Sequence, residues 1–109
     1  MPEIRHFTLD TDAQTLADAV TEDGAIIIDN VLSPEFIAEL RNETDPYMEG
    51  SNLGFDDFAG FKTTRTGGLM VRSKKCRELI AHPNILAPCK IFLEPYCQTV
   101  QLHLTQIIR

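Results

Sequence analysis

The last part of the chain, Gln98–Arg109, constrains the fold more than any other segment of these 109 residues. Polar and apolar side chains alternate there, as in a β-strand that has one face on a core and the other face in a polar environment. The apolar set, predicted to face the core, is Val100, Leu102 and Leu104. The polar set is Gln101, His103 and Thr105. The pattern predicts a long strand inside a sheet, and it predicts an edge prone to association where a partner strand is missing.

The front of the chain predicts a helix followed by a short strand. A helix is expected from Thr11 to Glu22, with Thr11 as its N-cap and Gly24 as the glycine that stops it. The β-branched run Ala25–Asp29 then predicts a buried strand.

A second helix is expected to begin at Ser33 and Pro34, because serine suits the N-cap and proline suits the first helical position. The sequence Asp45-Pro46 follows, so this helix is expected to end near Thr44.

The segment from Pro46 to Gly68 predicts a long loop that carries several aromatic side chains. Loops of this length are usually functional or disordered, and the aromatic content argues against disorder. Within it, Lys62–Gly68 (KTTRTGG) gathers two basic residues and three threonines beside a glycine turn. Such a cluster is suited to bind a carboxylate or a phosphate, and a solvated loop is the alternative interpretation.

The segment from residue 69 to residue 93 predicts one short extended piece and two helices. Leu69–Arg72 is expected to be extended, and Ser73 is expected to cap a helix that ends near Ala81. His82 precedes a proline that breaks this helix, and it is expected to interact with the helix C-terminus. A further helix is expected over residues 84–93.

Composition excludes several classes of protein. The net charge of -6 argues against nucleic acid as the main partner, because phosphate binding requires a basic surface. Three cysteines without a CxxC pair indicate reduced thiols in a cytoplasmic protein and argue against a zinc site. No signal-peptide pattern and no membrane-length apolar run occurs in the sequence, so neither secretion nor a membrane partner is expected.

Motifs for phosphate binding, for a serine nucleophile and for zinc hydrolysis are absent from the sequence. No HxD or HxE pair occurs either, and Thr105 stands where His103 would need a carboxylate partner. Two interpretations of His103 remain open: a hydrogen-bonded strand residue, or a residue that lines a polar cavity. A stand-alone enzyme that uses His103 or a cysteine is a further alternative.

Four segments together resemble the phytanoyl-CoA dioxygenase (PhyH-like) family, and the likeness extends from about residue 15 onward. They are DGAIIIDNVLSPEFIAELRNE (23–43), TRTGGLMVRS (64–73), LIAHPNIL (79–86) and the final QLHLTQIIR (101–109). The resemblance implies an α+β chain made of N-terminal helices and the first strands of a double-stranded β-helix (jelly roll). It also implies a single partial dioxygenase domain over residues 1–109.

In this family, two histidines and one carboxylate hold Fe(II), and the enzyme uses 2-oxoglutarate and O₂ to oxidise unactivated C–H bonds. The HxD pair follows the strand that resembles residues 98–109, so no metal ligand is assigned to any residue of this chain. Fe(II) and 2-oxoglutarate are implied for the full-length enzyme and are not expected to bind this chain alone. The expectation is the N-terminal part of a dioxygenase that hydroxylates a small molecule, with the chain inactive by itself.

The resemblance also places six polar residues near the substrate pocket. They are Lys62, Thr64, Arg65, Gln101, His103 and Thr105. The alternative function is a small binding or oligomerisation domain that self-associates through its C-terminal strand.

Overall fold

The structure is a computed structural model that describes residues 3–109, and these residues form five helices and four short strands. They divide into two compact units, described separately below. The first unit contains residues 3–33 and 80–101, and the second contains residues 34–79 and 102–109. In chain order the elements are β1 (His6–Phe7), α1 (Ala13–Asp23), β2 (Ile27–Ile28), α2 (Pro34–Glu49), β3 (Arg65–Gly67), α3 (Leu69–Arg72), α4 (Lys74–Ile80), α5 (Pro83–Leu93) and β4 (Gln106–Ile108).

The core of the first unit lies between α1 and α5. Helix α1 buries Leu16, Ala17 and Ala19, and the small side chains of the two alanines allow a close approach to the helix. The predicted helix is confirmed, but its N-cap is Asp12 and not Thr11. The extended backbone of Asp12 lets its carboxylate accept a hydrogen bond from Thr15 N at 2.9 Å. Gly24 ends the helix in the left-handed conformation, at φ 79°.

The strand predicted over Ala25–Asp29 is shorter and less buried than expected. Only Ile27 and Ile28 pair, in parallel with β1, and the exposed fraction of Ile27 is 38%. Because this sheet has two strands, one side of each strand has no neighbouring strand among residues 3–109.

His82 is the N-cap of α5, whereas the sequence led us to expect a role at the end of the preceding helix. Its Nδ1 accepts a hydrogen bond from Asn84 N at 3.2 Å, and Pro83 occupies the first position of α5. The extended backbone that a residue before proline favours is also the backbone of an N-cap, so the proline places His82 in this role.

In the second unit, α2 runs through Pro46 to Glu49, so the predicted end near Thr44 is wrong. Proline removes one backbone hydrogen bond, but its fixed φ angle is helical. The last turn is held by other contacts, because Ser51 Oγ donates to Tyr47 O at 2.8 Å and Ser51 N donates to Met48 O at 3.2 Å.

The long C-terminal strand is the largest error of the sequence-based prediction. Only Gln106–Ile108 pairs, antiparallel to β3, and residues 98–105 are irregular. Leu102 and Leu104, expected in the core, are 51% and 65% exposed. Alternation describes a strand only where a partner strand is present, and β3 offers three paired residues.

Leu69–Arg72 is a helical turn, α3, and not the extended piece that the sequence predicted. Gly68 enters the turn at a φ of 66°, a left-handed conformation that favours glycine. Thr105 Oγ1 then accepts a hydrogen bond from Leu69 N at 3.1 Å, which satisfies one of the free donors at the start of the helix. Buried Leu69 anchors the turn.

The predicted cap of α4 is confirmed, and it belongs to a network that joins α4 to α2. Ser73 Oγ accepts a hydrogen bond from Cys76 N at 2.9 Å and donates one to Glu43 Oε2 at 2.5 Å. The same carboxylate oxygen accepts from Lys75 N at 2.9 Å. These bonds, the one from Ser73 first and the backbone one from Lys75 second, lower the pKa of Glu43 below its ordinary value of 4.5.

Replacing Ser73 by alanine is expected to lower the free energy of unfolding at pH 7 by about 1–2 kcal/mol, because α4 loses its N-cap. The lowered pKa of Glu43 contributes stability above pH 4.5, and this contribution disappears as the pH falls through the folded-state pKa. The difference between wild type and Ser73→Ala should therefore be larger at pH 7 than at pH 3. Urea unfolding followed by circular dichroism at both pH values measures it, with Thr99→Ala, an exposed position, as the control. Equal differences at both pH values would contradict the role of Glu43.

Candidate functional site

The antiparallel ladder of β3 and β4 positions the candidate residues Thr64 and Arg65. Thr64 N donates to Arg109 O at 2.9 Å, and Arg109 N donates to Thr64 O at 3.1 Å. On the other side of the same segment, Leu53 forms an isolated bridge with Thr64. Thr64 is thus fixed between two backbone neighbours, and Arg65 projects from the adjacent ladder position.

Arg65 is an exposed cation whose guanidinium bonds to backbone carbonyl groups of a loop and not to a carboxylate. Its Nη2 donates to Phe58 O at 3.1 Å and its Nε to Ala59 O at 3.4 Å, while the guanidinium lies 5.6 Å from the centroid of the Phe58 ring. Among residues 3–109 no carboxylate forms an ion pair with it. The site therefore presents a positively charged group whose position is fixed and whose charge is not neutralised by a partner.

The other four candidates lie in different surroundings. Thr105 is the acceptor for Leu69 N, so its hydroxyl supports the backbone. Lys62 is exposed in a turn of the loop, and His103 is exposed with no hydrogen bond from its ring to any of residues 3–109. Gln101 belongs to the first unit. Of the six candidates, Thr64 and Arg65 are neighbours in the sequence and lie side by side on the ladder. Thr105 lies on the segment that leads into β4.

Residues 50–64, called here the phenylalanine loop, are ordered by backbone hydrogen bonds. Gly54 N donates to Thr63 O at 2.9 Å, and Gly60 N donates to Asp56 O at 2.8 Å. The Asp56 carboxylate also accepts from Ala59 N at 2.6 Å. The loop displays its three phenylalanines to solvent, with exposed fractions of 84% for Phe55, 88% for Phe58 and 60% for Phe61.

A cavity of about 460 Å³ lies against this loop and includes Arg65. Its walls are apolar at Leu53, Phe55 and Ala59 and polar at Ser51, Asn52 and Thr63. Pockets that hold small molecules usually measure about 300–1,000 Å³ and combine apolar walls with a few polar groups. The sequence indicated a functional loop, but the residues that form these walls were not identified from it.

Cavities also occur outside the phenylalanine loop. One of about 540 Å³, in the second unit, lies between α2 and β4, with Ile37, Leu40, Thr44, Met48 and Ile107 among its lining residues. Another, of about 200 Å³, lies in the first unit and is lined mainly by apolar side chains, with Cys89 among them.

Within residues 3–109, no group of three or more histidine, cysteine, aspartate or glutamate side chains could hold a metal ion. His6 and Asp29 bond to each other, with His6 Nδ1 at 3.0 Å from both carboxylate oxygens. The resemblance assigns no iron ligand to these residues, and no iron-dependent step is assigned to them. Nor does any helix in this range have the length and apolar character to cross a bilayer.

The sequence-based reasoning also missed the ionic network of the second unit. Lys75 Nζ lies 2.9 Å from Glu39 and 3.1 Å from Glu78, and the side-chain hydrogen bonds to these two carboxylates raise the pKa of Lys75. The spacing of Glu39 and Glu43, four residues apart on α2, was the available signal, because it places both carboxylates on one helix face. This network joins two helices and does not line the cavity of the phenylalanine loop.

Comparison with known proteins relates the chain to dioxygenases. No family model matches the sequence. The chain is 30% identical over 95 residues to a protein from Penicillium canescens named "Dioxygenase olcK", an alignment that covers 80% of this chain and 32% of the relative. It is 33% identical over 54 residues to "Dioxygenase hkm4" from Aspergillus hancockii, covering 50% of this chain and 18% of the relative. The chain therefore spans a third or less of the length of these curated relatives, and the two matches support a dioxygenase family for it.

Proposed function

We propose that this chain is a portion of a non-haem Fe(II)- and 2-oxoglutarate-dependent dioxygenase that hydroxylates a small molecule. The observation that carries the proposal is the 95-residue similarity to a named dioxygenase. The resemblance of residues 23–43 and 64–73 to the phytanoyl-CoA dioxygenase family supplies the finer assignment to iron and 2-oxoglutarate. In this proposal the ladder of β3 and β4 is the start of a jelly roll.

The contribution of this chain in that enzyme is binding and not redox chemistry. In the complete enzyme, Fe(II) and 2-oxoglutarate would activate O₂, which is the oxidant for an unactivated C–H bond. Arg65 would hold an anionic group of a ligand, because its guanidinium has no carboxylate partner among residues 3–109. Thr64 would fix the backbone on which Arg65 is mounted.

A chimera tests the proposal. This chain would replace the aligned segment of the Penicillium canescens dioxygenase, and succinate formation from 2-oxoglutarate would be measured with Fe(II) and O₂. We expect turnover that requires both Fe(II) and 2-oxoglutarate, and no turnover from the chain alone. A chimera that folds, as judged by circular dichroism, and forms no succinate would overturn the proposal. Succinate formation by the purified chain alone would overturn the division of roles.

The second candidate function is self-association through β4. In an antiparallel ladder, hydrogen-bonded and non-hydrogen-bonded pairs alternate. Thr64 and Arg109 form a bonded pair, so the backbone groups of Gln106 and Ile108 point away from β3. No other strand of residues 3–109 pairs with that edge, and the cavity of about 540 Å³ is lined by Ile107 and Ile108. An unpaired strand edge is a template for a second chain.

Sedimentation at increasing concentration tests this candidate. If the chain dimerises through β4, Gln106→Pro should abolish the dimer, because proline removes an outward-pointing N–H and leaves the bonds to β3 in place. A chain that stays monomeric at all concentrations, or a dimer that Gln106→Pro does not change, would exclude it.

A further inference from the structure

We propose that the cavity beside the phenylalanine loop binds a small molecule that has an apolar body and a single carboxylate. The inference rests on the proposed function, since it names the chemical class of ligand that the same site would take. Three observations carry it: the walls of the cavity, the state of Arg65 and the order of the loop.

The walls of the cavity divide into an apolar part and a charged end. Leu53, Phe55 and Ala59 contribute apolar surface, and Arg65 contributes the positive charge. Leu53 is 59% exposed and Phe55 is 84% exposed, so apolar area remains to be covered by a ligand. Covering such area is favourable roughly in proportion to the area removed from water. An aryl or branched alkyl group suits these walls better than a sugar or a nucleotide does.

The guanidinium of Arg65 is positioned to bind a carboxylate. Its Nε and Nη2 are engaged by two loop carbonyl groups, and its Nη1 makes no hydrogen bond to any of residues 3–109. Guanidinium bonds to a carboxylate are shorter and stronger than bonds between neutral groups. Of the two neighbouring acids, Asp56 directs a carboxylate oxygen to Ala59 N, and Asp57 does not line the cavity.

The loop is ordered without a ligand, which reduces the loss of conformational entropy on binding. Its closure depends on Gly54, since a Cβ there would lie 2.3 Å from Gly60 O. Arg65 is fixed to the loop by the contacts to Phe58 and Ala59, so the charged end and the apolar walls keep one geometry.

Two other occupants of the exposed phenylalanines are less favoured by charge. An anionic membrane surface would be repelled by Asp57 at the loop tip and by a chain whose net charge is -6. A second copy of the chain would bring the same two acids, Asp56 and Asp57, and the same two bases, Lys62 and Arg65, so it offers the guanidinium no excess of negative charge. Neither alternative uses the guanidinium and the cavity at once.

The test is a titration of the isotope-labelled chain, followed by backbone amide NMR, with 3-phenylpropionate, its neutral amide 3-phenylpropanamide, and propionate. We expect saturable shifts confined to residues 50–65 with 3-phenylpropionate. Binding of the amide should be about tenfold weaker, because it lacks the charge-assisted bond. Propionate, which lacks the apolar body, should also bind more weakly. Equal binding of acid and amide, or no saturable shift in residues 50–65, would overturn the proposal.

Two variants test the charged part and the apolar part of the site separately. Arg65→Gln should remove the preference for the acid over the amide, and Phe55→Ser should weaken the binding of both. Arg72→Gln is the matched control, since Arg72 lies over the ring of Tyr47 and does not line the cavity. Loop signals that broaden with protein concentration would assign the phenylalanines to a second copy. Shifts caused by vesicles of phosphatidylcholine, with or without phosphatidylserine, would assign them to a membrane, and either result would overturn the proposal.

The titration involves neither iron nor turnover, so its outcome is separable from that of the chimera. If 3-phenylpropionate binds and the chimera is inactive, the proposed binding site stands and the proposed dioxygenase function is overturned. An active chimera without binding would overturn the site alone.

Discussion

Replacing Leu16 by alanine is expected to lower the free energy of unfolding of the first unit by about 2–5 kcal/mol. Leu16 is 1% exposed and is the largest fully buried side chain on α1, the helix that packs on α5. The neighbouring buried residues of α1, Ala17 and Ala19, are too small to fill the space that the leucine would leave. Since small domains are stable by only about 5–15 kcal/mol, a loss of this size would remove a large share of the stability of the first unit.

Leu86→Ala in the same unit is the matched control, because Leu86 is 39% exposed and loses fewer contacts on truncation. Urea unfolding followed by circular dichroism and by amide hydrogen exchange in α1 and α5 measures both variants. Similar losses for Leu16→Ala and Leu86→Ala would contradict the placement of the core between these two helices.

Replacing Gly54 by alanine is expected to have the second-largest effect and to act on the phenylalanine loop. The added Cβ would lie 2.3 Å from Gly60 O and 2.7 Å from the carbonyl carbon and oxygen of Ala59. All of these are backbone atoms, so no side chain can rotate away and the loop itself must move. A loss of about 1–3 kcal/mol is expected from the strain, and it should be concentrated in residues 50–65.

Gly50→Ala provides the comparison, since a Cβ there meets Pro46 O at an ordinary contact distance of 3.5 Å. Amide hydrogen exchange of residues 50–65 distinguishes the variants, with faster exchange expected for Gly54→Ala and little change for Gly50→Ala. Fast exchange of this loop in the wild-type chain would contradict the order described for it.

The sequence predicted elements well where the deciding signals lie within a few residues. Gly24 correctly predicted the end of α1, and Ser73 correctly predicted the cap of α4, because both signals act over one turn. The end of α2 was missed because hydrogen bonds from Ser51 support the last turn beyond Pro46. Proline alone therefore gave the wrong boundary.

The prediction of a long C-terminal strand was wrong for a different reason. Residues 98–105 have the alternation of a strand, but whether they form one depends on a partner elsewhere in the chain. The prediction of an extended segment at Leu69–Arg72 was wrong for a similar reason, since the helical turn there is supported by the hydroxyl of Thr105. Long-range contacts of this kind leave no local pattern to read.

The candidate site was predictable in its charge and not in its shape. The cluster at 62–68 indicated a basic, glycine-containing loop, and Arg65 within it is the cation of the cavity. The apolar walls come from Leu53, Phe55 and Ala59, which reach the site through loop closure at Gly54. This closure is a three-dimensional property of residues 50–64.

The hydrogen bond from Leu69 N to Thr105 Oγ1 has a consequence for the order of folding. It joins residues 36 positions apart, and the helix that it begins, α3, has only four residues. A helix this short cannot form alone, because nucleation outweighs the gain from so few bonds. We therefore expect α3 to form only after β4 has paired with β3, so that the slow closure of a long chain segment precedes a fast local step.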